Sequence, residues 1–447
     1  MKKTFFICLC GITLNLTVLA QKNYTPAFDK YMQAQAAVNG FSGVVMVADK
    51  GTPIYEKPFG YADREWKLPN TLETKFEIGS LTKQFTAAAI LQLAEQGKLS
   101  LDDKLSAYFP GYPNGDMITL HMLLNHTSGI ADYTSLPTFY PRHTLALPKD
   151  SVIALFKNQP LAFAPGTKWS YSNSNYFLLG CIIEKVTKKP YDTWLYENVI
   201  KKASLKNTAV NHIDSILAFR AGGYSMSEKG EWRNAGYFSM EFPFSAGAII
   251  STAEDLYQWQ NALFDGKIIS AQMVTKMSTP YKGAYGYGLS VDTFEHHLRI
   301  SHSGGIPGFS SFISRFPSDG ITVIVLSNDE GNCNAIADAI VNTIFDLPVD
   351  LPYKPAEVTI NTKILERYLG KYQLGGTTNF ELIEKENKLY LKPQGGPEME
   401  LKPESETKFF LAREPKQQIE FILDKNGGIT KYSFINNGSR IEIKRLN

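Results

Sequence analysis

A single lysine stands inside a long uncharged stretch of this chain, and it constrains the fold more than any other feature. In "FEIGSLTKQFTAAAILQLAEQG", Lys83 is the only charged residue between Ile78 and Ala94, and Ser80 precedes it by three residues. The stretch has the composition of a helix, and residues three apart lie on one helix face. A hydroxyl and an amine are therefore expected to meet where the surroundings carry no other charge.

The apolar residues of this stretch recur at helical spacing. This periodicity predicts one face against the core and one face in water, with Gln84, Gln92 and Glu95 on the wet face.

A serine hydroxyl becomes a good nucleophile when a base takes its proton. Lys83 can be that base only when neutral, and lowering a lysine pKa from ~10.4 toward ~7 requires roughly 4–5 kcal/mol of destabilisation of the ammonium form. Burial among apolar groups can supply it. Ser80 follows Gly79 at the predicted helix start, where free N–H groups favour an oxyanion. The spacing alone also fits a structural alternative, in which Ser80 caps the helix and Lys83 lies on the surface. The same spacing occurs a second time at Ser405 and Lys408, within charged, strand-like sequence.

Composition limits the classes of protein to consider. The chain has 447 residues, 43% hydrophobic and 20% charged, which fits a globular protein of two or three domains. A net charge of +2 gives no electrostatic reason to expect nucleic acid or an anionic membrane as a partner. We find no metal-binding motif and no glycine-rich nucleotide loop, so no cofactor is expected.

The first twenty residues have the pattern of a secretory signal peptide. Lys2 and Lys3 precede an apolar run that ends at Ala20, with cleavage expected before Gln21. The run is short and polar-interrupted for a membrane anchor. We therefore expect a periplasmic or secreted protein without stable membrane insertion. Residues 21–447 keep two cysteines, whose pairing the sequence leaves open.

The remaining chain divides into two parts. Strand patterns flank a Lys-Gly turn in residues 41–63, helices and loops alternate over 101–265, and strands return before a last helix. The proline-rich "LPVDLPYKPAEV" indicates a linker. We predict a first domain over 21–347, a linker over 348–358 and an all-β domain over 359–447, with the strand pattern of a small barrel.

Two further segments carry candidate site residues. "KWSYSNSNY" offers Tyr171, which could relay protons, and Asn173, whose carboxamide could hold a substrate amide. "RISHSGGIPGF" ends a strand with His302, Gly304 and Gly305, where a free backbone N–H could complete an oxyanion hole. Each segment alone also fits a structural role, as core aromatics with a turn or as a hydrogen-bonded structural histidine.

Together the ordered segments resemble the serine β-lactamases and penicillin-binding proteins, which carry Ser-x-x-Lys, then Tyr-x-Asn, then a basic-x-Gly strand. The Tyr-x-Asn form is similar to the class C branch, and the resemblance spans roughly Phe28 to Leu347. It implies an α+β fold, with an antiparallel sheet built from both ends of the domain, flanking helices and an inserted helical subdomain. The C-terminal part, from about Thr359, resembles a lipocalin-like β-domain in its segment "YLGKYQL" and in its succession of short, alternating strand patterns.

The resemblance also implies roles for individual residues. Ser80 would be the acylated nucleophile, and Lys83 or Tyr171 the primary base, with Tyr171 passing a proton to the leaving group. The remaining residues implied to bind substrate are Asn173, His302, Gly304 and Gly305, and the backbone N–H groups of Ser80 and Gly305 would form the oxyanion hole.

His302 departs from the family's usual lysine in Lys-Thr-Gly, which attracts a substrate carboxylate. An imidazole of ordinary pKa, near ~6.5, is mostly neutral at pH 7 and would gain charge toward pH ~6. This favours an esterase or peptidase acting on a small ester, amide or peptide, a class that includes substrates containing D-amino acids or derived from peptidoglycan. The alternatives are a β-lactamase or D,D-carboxypeptidase proper, or a peptide- or muropeptide-binding protein without turnover.

Overall fold

The computed structural model describes residues 22–446 apart from 213, 228–229, 377 and 437–438. The predicted signal peptide, residues 1–20, lies outside the described residues. The α-helices are α1 (Thr25–Ala34), α2 (Thr82–Glu95), α3 (Leu105–Tyr108), α4 (Leu120–Leu124), α5 (Lys149–Phe156), α6 (Asn173–Thr187), α7 (Tyr191–Leu195), α8 (Phe244–Gly247), α9 (Ala253–Phe264), α10 (Ala271–Met277) and α11 (Cys333–Ile344). Short 3₁₀ helices span Gly79–Leu81, Tyr133–Ser135 and Thr362–Tyr368, and π-helical turns span Gln35–Asn39 and Tyr196–Ile200.

The strands fall into two groups separated along the chain. Those before residue 350 are β1 (Gly43–Asp49), β2 (Thr52–Phe59), β3 (Tyr61–Asp63), β4 (Leu68–Pro69), β5 (Phe76–Glu77), β6 (Ala209–Val210), β7 (Tyr224–Met226), β8 (Trp232–Asn234), β9 (Ile249–Ser251), β10 (Ser290–Phe294), β11 (His297–Ile306), β12 (Phe309–Phe316) and β13 (Ile321–Ser327). Those after it are β14 (Gly370–Leu374), β15 (Thr378–Lys385), β16 (Lys388–Pro393), β17 (Met399–Pro403), β18 (Lys408–Leu411), β19 (Gln417–Leu423), β20 (Ile429–Asn436) and β21 (Ser439–Leu446).

A six-stranded antiparallel sheet organises the first part of the chain. Its order is β10-β11-β12-β13-β1-β2, so strands from both ends of the domain pair through β1 and β13. The segment between β2 and β10 supplies most of the helices. This confirms the predicted sheet, built from both ends and interrupted by a mostly helical insertion.

Strand β1 shows why this sheet must be covered on both faces. Val44 and Met46 belong to the larger core cluster, which includes the residues of α2 and α9, whereas Val45 and Val47 belong to a second cluster with α1 and α11. Successive side chains of a strand point to opposite faces, so an uninterrupted apolar run requires helices on both sides.

Helix α2 is more deeply buried than its sequence pattern predicted. Gln84 and Gln92 are 1% and 3% exposed, so their assignment to a wet face was wrong. The Gln84 amide oxygen accepts hydrogen bonds from Trp259 Nε1 at 3.2 Å and Gln260 Nε2 at 2.8 Å. These partners lie on α9, about 175 residues further along the chain, and a local pattern carries no information about them.

The C-terminal strands form a closed barrel. Each strand from β14 to β21 pairs with the next, and β14 pairs antiparallel with β21 to close the ring. Leu382, Phe409, Phe421 and Phe434 are among the residues of its own buried core. The structure confirms the predicted all-β domain with an eight-stranded barrel.

Residues 348–361, between α11 and the barrel, form no helix or strand. The hydroxyl of Tyr353 donates to Glu404 Oε2 at 2.7 Å, and the Val358 N–H donates to the Pro403 carbonyl at 2.9 Å. The predicted linker, 348–358, therefore lies partly against barrel residues.

Three further features of the described residues bear on the sequence predictions. Cys181 and Cys333 are both free and buried. Across residues 22–446, as far as they are described, no helix is long and apolar enough to cross a membrane, and no group of three or more side chains is arranged to bind a metal ion.

Two glycines allow β11 to approach the start of α2. A Cβ atom at Gly304 would lie 2.0 Å from the Ile78 carbonyl oxygen, and one at Gly79, where φ is +51°, would lie 2.7 Å from the Gly305 nitrogen. Only glycine avoids these overlaps, so the strand can pass directly beside Ser80.

We predict that Gly304→Ala destabilises the fold by about 1–3 kcal/mol, because the new methyl group overlaps fixed backbone. Gly305→Ala is the matched control, since a Cβ there meets nothing within 4 Å. Urea unfolding followed by circular dichroism measures both variants. Equal midpoints for the two would show that the close approach at Gly304 imposes no constraint.

Candidate active site

The Ser-x-x-Lys pair lies at the start of α2. Ser80 is in the 3₁₀ turn before the helix and remains partly exposed, whereas Lys83, in the first helical turn, is 0% exposed. Lys83 Nζ lies 2.9 Å from Ser80 Oγ, 2.8 Å from Asn173 Oδ1 and 2.8 Å from the Ala246 carbonyl oxygen. The nucleophile candidate is accessible while its neighbour is removed from water.

These three contacts fit a neutral amine. Asn173 Oδ1 and the Ala246 carbonyl can only accept hydrogen bonds, so they use both N–H donors of an uncharged Lys83. Its lone pair then faces Ser80, whose hydroxyl can donate to it. This is the arrangement that proton removal from Ser80 requires.

The electrostatics of Lys83 favour the same protonation state. Burial lowers the pKa of Lys83 from 10.5 to about 7, while the charge of Asp132 acts in the opposite direction. Asp132 is linked to Lys83 through Asn173, because Asn173 Nδ2 lies 3.3 Å from Asp132 Oδ2 and 3.3 Å from Thr134 Oγ1. The carboxylate both orients the amide and limits how far the lysine pKa falls.

Tyr171 faces the same pair. Lys83 Nζ lies 4.9 Å from the centre of the Tyr171 ring, and the phenol hydroxyl hydrogen-bonds with Ser80. Burial raises the pKa of Tyr171, so the phenol keeps its proton at neutral pH. The buried His126 packs on this ring at 4.4 Å and accepts the Ser172 N–H at 3.2 Å, which fixes the backbone beside Tyr171.

The backbone of β11 directs one N–H group toward Ser80. A two-residue turn joins β11 to β12, and Ile306 and Phe309 form the hydrogen-bonded pair that closes it. Residue pairs of an antiparallel hairpin alternate, so the next pair, Gly305 and Ser310, is not hydrogen-bonded. The backbone N–H and C=O groups of these two residues point away from the partner strand. Strand β10 pairs with β11 only as far as Ser301. The Gly305 N–H is therefore free of strand partners on the side where Gly79 and Ser80 lie.

His302 is held as a neutral imidazole. Its Nδ1 lies 2.6 Å from the Ser303 carbonyl oxygen, which can only accept, so Nδ1 carries the proton. Nε2 lies 2.8 Å from the Tyr285 hydroxyl and accepts from it. Burial, together with the charge of Lys83, lowers the pKa of His302 to about 3. The expected ordinary pKa was wrong, because the sequence does not show this burial.

A cleft of about 390 Å³ opens above Ser80. The residues that line it are Ser80, Trp169, Tyr171, Gly283, Tyr285, Ser290, His302, Ser303 and Gly305. None of these side chains carries a charge at neutral pH, and three of them are large aromatic groups. The cleft thus provides stacking surfaces and hydroxyl groups, and no fixed charge for a substrate carboxylate.

The structure brings most predicted site residues together around this cleft. Lys83, Asn173 and Gly304 are not among its lining residues. Asn173 instead holds Lys83, and Gly304 packs on Ile78. The competing pair Ser405 and Lys408 lies in the barrel, where Ser405 is exposed in the turn before β18.

Several site residues were missed by the sequence reasoning. They are Asp132, Thr134, Trp169, Tyr285 and the carbonyl of Ala246. Asp132 lies two residues after the loop sequence "HTSGI", but nothing in that spacing indicates contact with Asn173.

We predict that Asp132→Asn moves the pH dependence of Ser80 acylation. The Asp132 charge raises the pKa of Lys83, so its removal lowers that pKa and leaves the amine neutral at lower pH. The rising limb of acylation rate against pH should shift to lower pH, as followed by intact mass with a serine-directed acylating probe. Asp424→Asn, in a barrel turn, is the matched control. If the rise of the acylation rate with pH stayed in place or moved to higher pH, the assigned effect of Asp132 on the pKa of Lys83 would be contradicted.

Comparison with known proteins agrees with this geometry. The Beta-lactamase family model matches residues 28–342, and the model "Domain of unknown function (DUF3471)" matches residues 354–443. The chain is 32% identical over 414 residues to "Penicillin-binding protein 4*" of Bacillus subtilis. The aligned region covers 86% of this chain and 91% of that protein.

Solved structures extend the likeness to three dimensions. The octameric penicillin-binding protein homologue from Pyrococcus abyssi superposes with a TM-score of 0.68 at 26% identity, over 94% of this chain and 100% of that one. The D-amino acid amidase from Ochrobactrum anthropi SV3 superposes with a TM-score of 0.65 at 25% sequence identity, over 73% of this chain and 99% of the amidase chain. The chain belongs to the beta-lactamase family, as a penicillin-binding-protein-like serine hydrolase with a C-terminal eight-stranded barrel.

Proposed function

We propose that this enzyme hydrolyses uncharged esters or amides through an acyl-enzyme on Ser80. The observation that carries the proposal is the contact of 2.9 Å between Ser80 Oγ and a buried Lys83 whose pKa is lowered to about 7. Such a lysine is about half deprotonated at neutral pH and lies within reach of the proton it must remove.

In the proposed reaction, Lys83 Nζ takes the proton of Ser80 as Oγ forms a bond to the substrate carbonyl carbon. The carbonyl oxygen becomes an oxyanion that accepts from the N–H groups of Ser80 and Gly305. Tyr171 keeps its own proton at neutral pH, so it serves as a relay that donates to the leaving group and is reprotonated from Lys83. Water then cleaves the acyl-enzyme, with the same groups acting in reverse.

The substrate class follows from the charge of the cleft. A carboxylate facing His302 would meet a neutral imidazole whose two nitrogens are already engaged by Ser303 and Tyr285. The Ochrobactrum amidase supports an amide as one substrate type. We infer that small esters and amides without a carboxylate at this position are preferred, including amides of D-amino acids.

A β-lactamase or D,D-carboxypeptidase is the second candidate, favoured by the penicillin-binding relatives. Residues 1–20 support a proposed periplasmic or secreted location, where such substrates would be met.

The test compares p-nitrophenyl acetate with nitrocefin, a carboxylate-bearing β-lactam, at pH 7.5. We expect clear turnover of the ester and weak turnover of nitrocefin, because a missing charge-assisted hydrogen bond weakens binding by roughly tenfold to a hundredfold. Lowering the pH to 6 should leave the KM for nitrocefin no better, since His302 stays neutral far above its pKa of about 3.

Variants of the serines complete this test. Ser80→Ala should abolish acylation detected by intact mass, whereas Ser405→Ala, in the barrel, should leave it unchanged. Efficient nitrocefin hydrolysis by the unaltered enzyme would favour the β-lactamase alternative. A cleft that binds substrate without labelling Ser80 would indicate a binding protein instead.

A further inference from the structure

A second pocket lies at the opposite end of the sheet from Ser80. It is formed between the turn joining β1 and β2, the end of α9, and the neighbouring ends of β12 and β13, and it has a volume of about 440 Å³. Arg315 on β12 lines it, five residues along the strand from Ser310, the partner of Gly305. At ~3.4 Å per residue the pocket is about 17 Å from the catalytic end. We call it the rear pocket.

Arg315 is the central residue of the rear pocket. Burial lowers its pKa, and its Nη1 makes only long contacts, of 3.4 Å to Asn261 Oδ1 and 3.5 Å to Thr322 Oγ1. Its Nε is buried and has no hydrogen-bond partner among the described residues. Within that same part of the chain, no carboxylate lies within 4.0 Å of Arg315. A guanidinium in this state has unused donors in fixed, planar geometry.

Arg299, on the adjacent strand β11, shows what a structural arginine looks like in this protein. It is also partly buried, but it pairs with Asp292 at 2.7 Å and with Asp338 at 3.0 Å. The contrast indicates that the donors of Arg315 are held for a group outside the described chain.

A second buried donor faces the same space. Tyr257 on α9 lines the rear pocket and is only 9% exposed, yet its hydroxyl has no hydrogen-bond partner among the described residues. A buried hydroxyl without a partner costs free energy, so this group also favours a ligand that can accept a hydrogen bond.

The charge around the rear pocket is positive. Lys50 and Lys267 line it together with Arg315. The opposing charge among the lining residues is Asp265, which lies 3.7 Å from Lys267. Three cations against one anion leave a net charge of +2 on the lining. Positive charge concentrated in a concave site attracts anions more strongly than the same charge spread over a flat surface.

We propose that the rear pocket binds a small molecule through an oxyanion group, a phosphoryl or carboxylate group. Arg315 would donate to the oxyanion in its planar geometry, Tyr257 would donate its hydroxyl, and the two lysines would supply screened long-range attraction. This site is separate from the cleft above Ser80 and does not depend on the proposed hydrolytic function.

Calorimetric titration of the full chain with inorganic phosphate and with succinate tests this proposal. Sodium chloride at equal ionic strength serves as the reference. We expect saturable binding of at least one anion with a Kd of about 1 mM or lower. Binding of phosphate alone identifies a phosphoryl site, and binding of succinate alone identifies a carboxylate site.

Matched variants locate the binding. Arg315→Gln should weaken anion binding about tenfold or more. Tyr257→Phe should also weaken anion binding, but by a smaller factor. Arg233→Gln removes an exposed arginine on β8 and should leave anion binding unchanged. Circular dichroism of each variant verifies the fold, and Tyr257→Phe provides the test if Arg315→Gln does not fold. The proposal would be overturned if neither phosphate nor succinate bound saturably. It would also be overturned if Arg233→Gln weakened anion binding as much as Arg315→Gln does.

Discussion

The burial of Lys83 is the interaction on which the rest of this structure depends. An amine that loses water on every side favours its neutral form, and here the pKa falls to about 7. That burial needs other elements packed against every face of α2. It also needs two hydrogen-bond acceptors, one for each N–H donor of a neutral amine. Asn173, from α6, and the Ala246 carbonyl, from α8, supply those acceptors. The inserted helical part is thus required for the chemistry of α2.

The sheet supplies the second half of the site. Strand β11 brings Gly305 beside Ser80 only because Gly304 and Gly79 have no side chains to keep the backbones apart. Beyond the end of β10, the Gly305 N–H of β11 has no strand partner on the side of the cleft. An oxyanion hole of backbone N–H groups can form there without any charged side chain, which fits a cleft whose lining is uncharged.

The sequence predicted the parts of this design that are local. The lone lysine with its serine, the Tyr171 segment and the His302 segment are each visible within short windows of sequence. Their order carried the family resemblance, and that resemblance implied the correct fold class. Contacts across long sequence separations were not predictable. Gln84 was assigned to water because its partners on α9 cannot be seen from α2, and His302 was assigned an ordinary pKa because its burial depends on Tyr285 and the surrounding rings. Asp132 was missed because its link to Lys83 runs through Asn173.

The protonation of Lys83 can be measured directly. Carbon-13 labelling of lysine side chains, with Lys83→Met to assign the missing signal, gives the titration of the Lys83 Cε resonance by NMR. The burial described here predicts a midpoint of about 7, well below that of the exposed lysines. A midpoint near the ordinary value of ~10.4 would contradict the account, because Lys83 would then be an ammonium ion at neutral pH and unable to remove the proton of Ser80.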